Sequence, residues 1–378
     1  MVLRLLVIFV QFICADFCYS AKIDHQGFYF FGDSLTDSGY QNNNPDVLRI
    51  KKTPQWTSPG GHVWVYYFMQ NVLRDCKSGK QFLTPNNKDA GFLFNPVPRY
   101  IKPVLDGNNF AAGGSTTGST GILNSVNYKS PSLLEQIQYF LAYYVVQNQL
   151  KLDKQTYLIW SGSNDLIKKL VIEIKVAGWL KKLHLYTLAR AMHILDLRTI
   201  SAHFVSTERQ IANNLTYVVQ QLQQAGAKRI VVLLLPDTGV TPLMDNLVSD
   251  FSADEITKHQ LAQQMHQVVR QVNALIIEQL TPRHVLLVDI NKALLPVLAT
   301  SVPGYFVEQS RLFGKSSRFF VYDKKHPACP DEKALTCIPK VKQAAHYVFE
   351  DLLHPTAQTH HIMGDYVYFQ LSRSGFLG

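Results

Sequence analysis

Four short stretches of this chain hold, between them, the residue types that acyl transfer by serine requires. FYFFGDSLTDSGY, residues 28–40, runs four aromatics into Gly32, Asp33 and Ser34 and then into a polar turn. A serine hydroxyl becomes a nucleophile when a base takes its proton and a carboxylate fixes that base's tautomer. DLLHPTAQTHH, residues 351–361, supplies both: Asp351 precedes His354 by three residues on one loop. The aspartate can reach Nδ1 of the imidazole there and leave Nε2 for Ser34. The oxyanion that forms on attack needs donors aimed at it. NNFAAGGSTTG, residues 108–118, offers Gly114, whose N–H approaches a substrate with no side chain in between. WSGSNDL, residues 160–166, offers the side-chain amide of Asn164.

Each stretch also has a purely structural reading. Gly, Asp and Ser end strands well, GGS makes a turn, SND caps a helix, HPT starts one, and an Asp three residues before a His arises by chance. The distinguishing feature is coincidence. Three of the stretches follow strand-like runs and the fourth precedes a helical one, in an order that lets them converge.

The elements that must position them are legible. Residues 27–31, 157–161, 229–235 and 284–290 are nearly continuous apolar runs, as expected of strands covered on both faces. Helical periodicity appears near 60–74, 132–149, 206–226 and 254–280. In the last, Leu261, Met265, Val268, Val269, Val272, Leu275 and Ile276 recur three and four apart. A final helix is expected to start at Pro355, since proline suits a first helical position. Alternation of this kind predicts α/β architecture, a three-layer α/β/α sandwich with a mainly parallel central sheet, whose ligands bind outside the strands' carboxyl ends. Ser34 would stand on that rim. Residues 166–205 and 301–349 read as insertions into a single domain spanning 21–378.

Composition bounds the rest. The 378 residues are 47% hydrophobic and 17% charged, enough for a large core and unlike a disordered or repeat chain. MVLR followed by LLVIFVQFICADF and CYSA has the three parts of a secretory signal peptide over residues 1–20, which predicts a secreted protein, periplasmic or extracellular. Cys329 and Cys337 bracket a short polar loop that suits a local disulfide in an oxidising compartment, leaving Cys76 as a buried free thiol. No metal-ligand spacing surrounds them, and the chemistry requires neither metal nor cofactor. The formal charge of +9 accompanies no nucleic-acid module and fits an anionic membrane surface. The basic, apolar stretch 166–193 reads as a lid or surface helix facing lipid, or as an ordinary helix packed inward.

Together, FGDSLTDSG, NNFAAGGSTTG, SGSND and DLLHPT resemble the four blocks of the GDSL, or SGNH, family of lipases and esterases. GGHVWVYYF, residues 60–68, resembles the family's segment between the first two blocks, so the likeness runs from about Phe28 to the C-terminus. The resemblance implies an SGNH hydrolase fold, flavodoxin-like in kind. It implies Ser34 as nucleophile, His354 as general base and Asp351 as its orienting acid. The implied oxyanion hole comprises the N–H groups of Ser34 and Gly114 and the Asn164 amide, with the choice of Gly114 over Gly113 resting on alignment. Among family members, exported bacterial phospholipases and glycerophospholipid–cholesterol acyltransferases are most similar. They imply a phospholipid or lysophospholipid substrate, peripheral membrane contact, water or a sterol as acyl acceptor, and an activating protease that nicks the disulfide-closed loop. The rival expectations are an esterase of the same fold acting on small soluble or carbohydrate esters, and a lipid-surface-binding protein without catalysis.

Overall fold

The computed structural model describes residues 27–38, 56–57, 61–75, 108–118, 130–185, 187, 200–249, 255–299, 306–308, 318–320 and 347–377. The apolar N-terminal run, Cys76, Cys329, Cys337 and most of 301–349 lie outside the described residues.

The aromatic run forms β1 (Phe28–Gly32), buried along its whole length. It pairs in parallel with β2 (Thr156–Trp160), which pairs with β3 (Arg229–Leu233), which pairs with β4 (Leu286–Val288). On the other side of β1 the second chemical stretch adds a single parallel bridge, Asn109 beside Phe30, extended by Phe110 N–H donating to the Phe30 carbonyl and Ala112 N–H to that of Gly32. Counted as an edge segment, it makes the spatial order 2-1-3-4-5 in chain order, the flavodoxin-like arrangement. Its order reverses at β1, where open α/β sheets place their ligands.

Alternate residues of these strands feed two cores, as the two-residue period of a strand dictates. Tyr29, Phe31, Tyr157, Ile159, Ile230 and Val232 face one helical layer. That layer comprises α2 (Leu133–Tyr139), α4 (Ser163–Lys182), α5 (Val205–Gln224), α6 (Pro242–Ser249) and α7 (Glu255–Leu280). Phe28, Phe30, Leu158, Trp160, Val231 and Leu233 face the other, built from α1 (Trp64–Asp75), α8 (Asn291–Ala299) and α9 (Ala357–Arg373). The three-layer α/β/α sandwich expected from the sequence is therefore the fold. Aromatic contacts concentrate at β1: Phe31 stacks on Phe110 at 5.2 Å between ring centres, and Phe30 meets Trp64 edge-on at 5.8 Å. Each such ring buries enough apolar surface to contribute about 1.5–3 kcal/mol, which makes β1 a rigid support for the turn at its carboxyl end.

Three details differ from expectation. The last helix begins at Ala357, not Pro355: Thr356, in an extended conformation, accepts from the Thr359 N–H and caps it. Pro355 instead forms an isolated bridge with Phe349, because a residue one position outside a cap is not yet helical. The pattern over 132–149 is helical but not uniform. α2 passes into a π-helical turn, Phe140–Tyr144, before α3 (Val145–Asn148), so the buried Phe140 and Tyr144 both reach the core. β4 is shorter than the run 284–290 and only half-buried at Leu286 and Leu287, as suits the last described strand of the sheet. The inner face of α4, Leu166, Leu170, Ile174 and Ala177, belongs to the core. Within 301–349, β5 (Phe306–Glu308) and β6 (Arg318–Phe320) pair as an antiparallel ribbon separate from the main sheet.

Candidate active site

β1 stops at Gly32 because the next strand leaves room for nothing larger. With φ at 152°, Gly32 sits in a conformation L side chains rarely adopt, and a Cβ there would lie 2.1 Å from the Trp160 carbonyl oxygen. The chain then turns. Thr36 and Asp37 N–H groups both donate to the Asp33 carbonyl, at 3.0 and 2.9 Å, and Leu35 N–H donates to Asp33 Oδ1 at 3.1 Å. Ser34 is held inside this turn at 5% exposure. Gln136, buried on α2, clamps the strand end from the side. Its Oε1 accepts from Gly32 N–H at 2.9 Å, while Nε2 donates to the Gly32 carbonyl at 2.8 Å and to Ser115 Oγ at 3.0 Å.

The loop ahead of α9 brings the imidazole to that serine. His354 Nε2 lies 2.9 Å from Ser34 Oγ. Nδ1 lies 2.7 and 3.0 Å from the two oxygens of Asp351, whose Oδ1 also accepts the backbone N–H groups of Leu353 and His354 at 2.8 and 2.6 Å. The carboxylate thus shapes the loop and orients the ring in one contact set, and its position at Nδ1 fixes a tautomer that leaves Nε2 to accept the serine proton. Trp56 lies against the same imidazole, ring centres 4.8 Å apart, and neighbouring Thr57 donates to the Pro355 carbonyl at 3.1 Å. Deeper in α9, burial first and the nearby His354 second push the His360 pKa down to about 3. That second imidazole is neutral throughout the physiological range.

On the opposite flank sit the glycine turn and the start of α4. Gly113 N–H donates to Asp37 Oδ2 at 2.8 Å, so it is committed elsewhere. Gly114, with φ at 77°, turns the chain in the left-handed region that glycine adopts without penalty. The buried Asn164 donates one amide hydrogen to the Ser115 carbonyl at 2.8 Å, which fixes the side chain and leaves its other hydrogen for the cavity it lines. Asp165 next to it accepts from Thr117 N–H at 2.9 Å and Thr117 Oγ1 at 2.8 Å, tying helix α4 to the glycine turn. Ser34, Asn164 and His354 therefore line one cavity, while the bonds from Gly113 to Asp37 and from Asn164 to Ser115 tie the turn that holds Gly114 to both of its neighbours.

Two acids of the site are held above the usual carboxylate range. Burial pushes the pKa of Asp33 up to about 7, with the Leu35 N–H pulling back and Asp165 adding to the rise. Burial likewise raises Asp165 to about 6 against its bonds from Thr117. Beside Ser34 opens a cavity of about 40 Å³ walled by Leu35, Ile167, Val240, Leu294, Phe349 and Met363. Its wall is almost entirely apolar. Among the described residues no group of three or more His, Cys, Asp or Glu is placed to hold a metal ion, and no helix is long and apolar enough to cross a membrane.

Sequence reasoning did not single out Trp56, Gln136, Asp37 or Asp165. Asp37 and Asp165 stand within quoted stretches, at fixed offsets from Ser34 and Asn164, and that placement was the available signal. Gln136 lies in a helical pattern where a buried amide looks like any surface glutamine.

A parallel sheet that presents a Ser–His–Asp chain of hydrogen bonds at its carboxyl rim has the architecture of an ester hydrolase. The family model GDSL-like Lipase/Acylhydrolase matches residues 28–367, and the chain belongs to that family. Similar proteins include the GDSL esterase/lipase At3g43570 of Arabidopsis thaliana, 29% identical over 60% of this chain and 63% of that protein's length. The GDSL esterase/lipase At5g42170 of the same plant is 24% identical over 90% of this chain and 84% of its own. Among solved structures, phospholipase A1 from Streptomyces albidoflavus NA297 covers 90% of this chain and 97% of its own at 11% identity, with a TM-score of 0.39.

Proposed function

We propose that this chain is a secreted serine hydrolase that cleaves acyl esters of phospholipids or lysophospholipids through an acyl-serine intermediate. The observation that carries the reading is the unbroken chain Asp351–His354–Ser34, with its closing distance of 2.9 Å at the serine. Ser34 Oγ attacks the ester carbonyl as His354 Nε2 takes its proton, and Asp351 stabilises the imidazolium. The carbonyl oxygen gains negative charge against the N–H groups of Ser34 and Gly114 and the second amide hydrogen of Asn164. Collapse breaks the ester bond, and His354 returns its proton to the departing alcohol oxygen. Water then attacks the acyl-serine with the same histidine as base and releases the fatty acid. A sterol hydroxyl in place of that water would give a sterol ester.

Support for a lipid substrate comes from the apolar cavity wall at Ser34, the net positive charge and the surface of α4. Secretion rests on the apolar segment 1–20. The loop between Cys329 and Cys337, closed by a disulfide, would cover the site until a protease nicks it. The apolar wall beside Ser34 is equally compatible with a second reading, a short-chain or soluble ester substrate handled by the same triad.

The test is fatty-acid release from lysophospholipid, diacyl phospholipid and a short soluble ester, with and without cholesterol, before and after limited proteolysis. Lipid hydrolysis that Ser34→Ala lowers by about 10⁴-fold or more, with sterol ester formed or activity raised by nicking, is the expected result. Turnover of the short ester alone keeps the triad and removes the lipid assignment. Activity that survives Ser34→Ala overturns the mechanism.

A further inference from the structure

Helix α4 has two apolar faces, and among the described residues only one of them packs into the core. Leu166, Leu170, Ile174 and Ala177 pack into the core. On the opposite side, Ile172, Val176, Trp179 and Leu183 follow one another four, three and four residues apart, the spacing of a single helical stripe. Their exposures are 48%, 44%, 61% and 46%. One exposed apolar side chain is ordinary, but a continuous stripe of four that includes a largely exposed tryptophan marks a surface that something covers.

The charges around the stripe indicate what. Lys168, Lys175 and Lys182, seven residues apart, run along one edge of it, and Lys175 and Lys182 are exposed. The other edge is neutralised within the protein, where Lys169 pairs with Glu173 and Glu173 in turn meets His203 Nδ1 at 3.3 Å. After Lys182 the helix stops: Leu185 N–H reaches back to the Leu180 carbonyl, and His184 takes a left-handed conformation with φ at 56°. An apolar stripe with a lysine row beside it and a tryptophan near its end has the make-up of an interfacial helix. Such a helix sinks its apolar face to the acyl boundary while the lysines extend to head groups. The whole chain carries a formal +9, which adds long-range attraction to a surface of the opposite sign.

We infer that the outer face of α4 docks this protein onto anionic phospholipid surfaces. The inference rests on the lipid-ester reading and deepens it, because α4 opens with Asn164 at the catalytic cavity. Trp179 lies fifteen residues further along, about 22 Å at 1.5 Å per residue. Asn164 joins the start of the docking helix to the cavity at Ser34, and the outer face of the helix leaves the chemistry itself untouched.

The full chain is mixed with vesicles of phosphatidylcholine alone and of phosphatidylcholine with phosphatidylglycerol, and co-sedimentation is measured at low and high salt. Binding to the anionic vesicles alone, weakened by salt, is expected. Lys175→Glu/Lys182→Glu should weaken it by about ten-fold or more, as two charge reversals near the surface imply. Ile172→Ser/Trp179→Ser should weaken it comparably and should also remove any blue shift of tryptophan emission on binding. Both double variants replace exposed side chains, so thermal unfolding and hydrolysis of p-nitrophenyl acetate should match the parent. Unchanged vesicle binding in both variants, or no binding by the parent, overturns the inference. So does a dimer of the parent that Trp179→Ser dissociates, which would assign the face to a second copy. A parent that binds anionic vesicles yet hydrolyses only the soluble ester sinks the lipid-ester reading and leaves the docking surface standing.

Discussion

Asp37 Oδ2 accepts the Gly113 backbone N–H at 2.8 Å, and this bond joins the turn that carries Ser34 to the turn that carries Gly114. The same oxygen accepts from Trp56 Nε1 at 3.3 Å, and Trp56 lies on the His354 ring. One carboxylate therefore fixes the glycine turn relative to Ser34 and places the ring that backs His354. It touches neither reacting atom.

Asp37→Ala should accordingly lower kcat of ester hydrolysis by about ten- to a hundredfold, the scale of a roughly 1 Å misplacement of a catalytic group. KM should change less, because the apolar cavity wall is untouched. Asp37→Asn keeps an oxygen that can serve both donors and should retain most of the activity. Steady-state kinetics on a soluble ester decide the matter, and an alanine variant as active as the parent would remove Asp37 from this role.

The second prediction concerns stability. Gln136 is buried and satisfies both backbone groups of Gly32. In Gln136→Leu the Gly32 N–H loses its partner at a cost of about 1–3 kcal/mol, while the Gly32 carbonyl keeps the Ala112 N–H. The melting temperature should fall by several degrees or more, and denaturant titration should show a lower midpoint with an unchanged slope. Gln136→Glu is the sharper control. It keeps an oxygen for the Gly32 N–H but sets a buried carboxyl against the Gly32 and Pro131 carbonyls, so its melting temperature should fall further below the parent's as pH rises and the carboxyl is driven to ionise.

The sequence revealed some of this plainly and some not at all, for physical reasons. β1 was legible because four consecutive aromatics have no use outside a core. The meeting of Ser34, Asp351 and His354 was legible because each sits at an element's end, where chemistry-bearing types stand out against turn formers. The start of the last helix was misplaced by two residues because proline and threonine both signal a helix N-terminus, and only the backbone decides which is the cap. Gln136 was invisible, since its bonding to Gly32 depends on a strand more than a hundred residues away. The outward stripe of α4 was hidden among inward residues of the same types. Periodicity locates apolar faces but cannot say which of two opposite ones meets the sheet.

The last prediction concerns the buried acid beside the nucleophile. Asp33 has an ordinary value of 3.8 and is raised to about 7 in the fold. Between those two values the folded protein holds a proton that the unfolded chain has released, so stability must fall as pH rises through that window. Below about pH 4 both states are protonated, and above about pH 7 both are ionised, so the loss is flat on either side. Asp33→Asn keeps the oxygen that accepts from Leu35 N–H and removes the ionisation. Its melting temperature should decline less than the parent's between about pH 4 and pH 7. Above pH 7 it should exceed the parent's, by an amount worth a few kcal/mol at most. Some slope remains in the variant, because Asp165 is raised to about 6 and titrates in the same range. The measurement is thermal unfolding of both proteins across that range. Parallel curves for the two would mean that Asp33 is already ionised in the folded protein at neutral pH, and that a fixed negative charge stands beside Ser34 throughout the reaction.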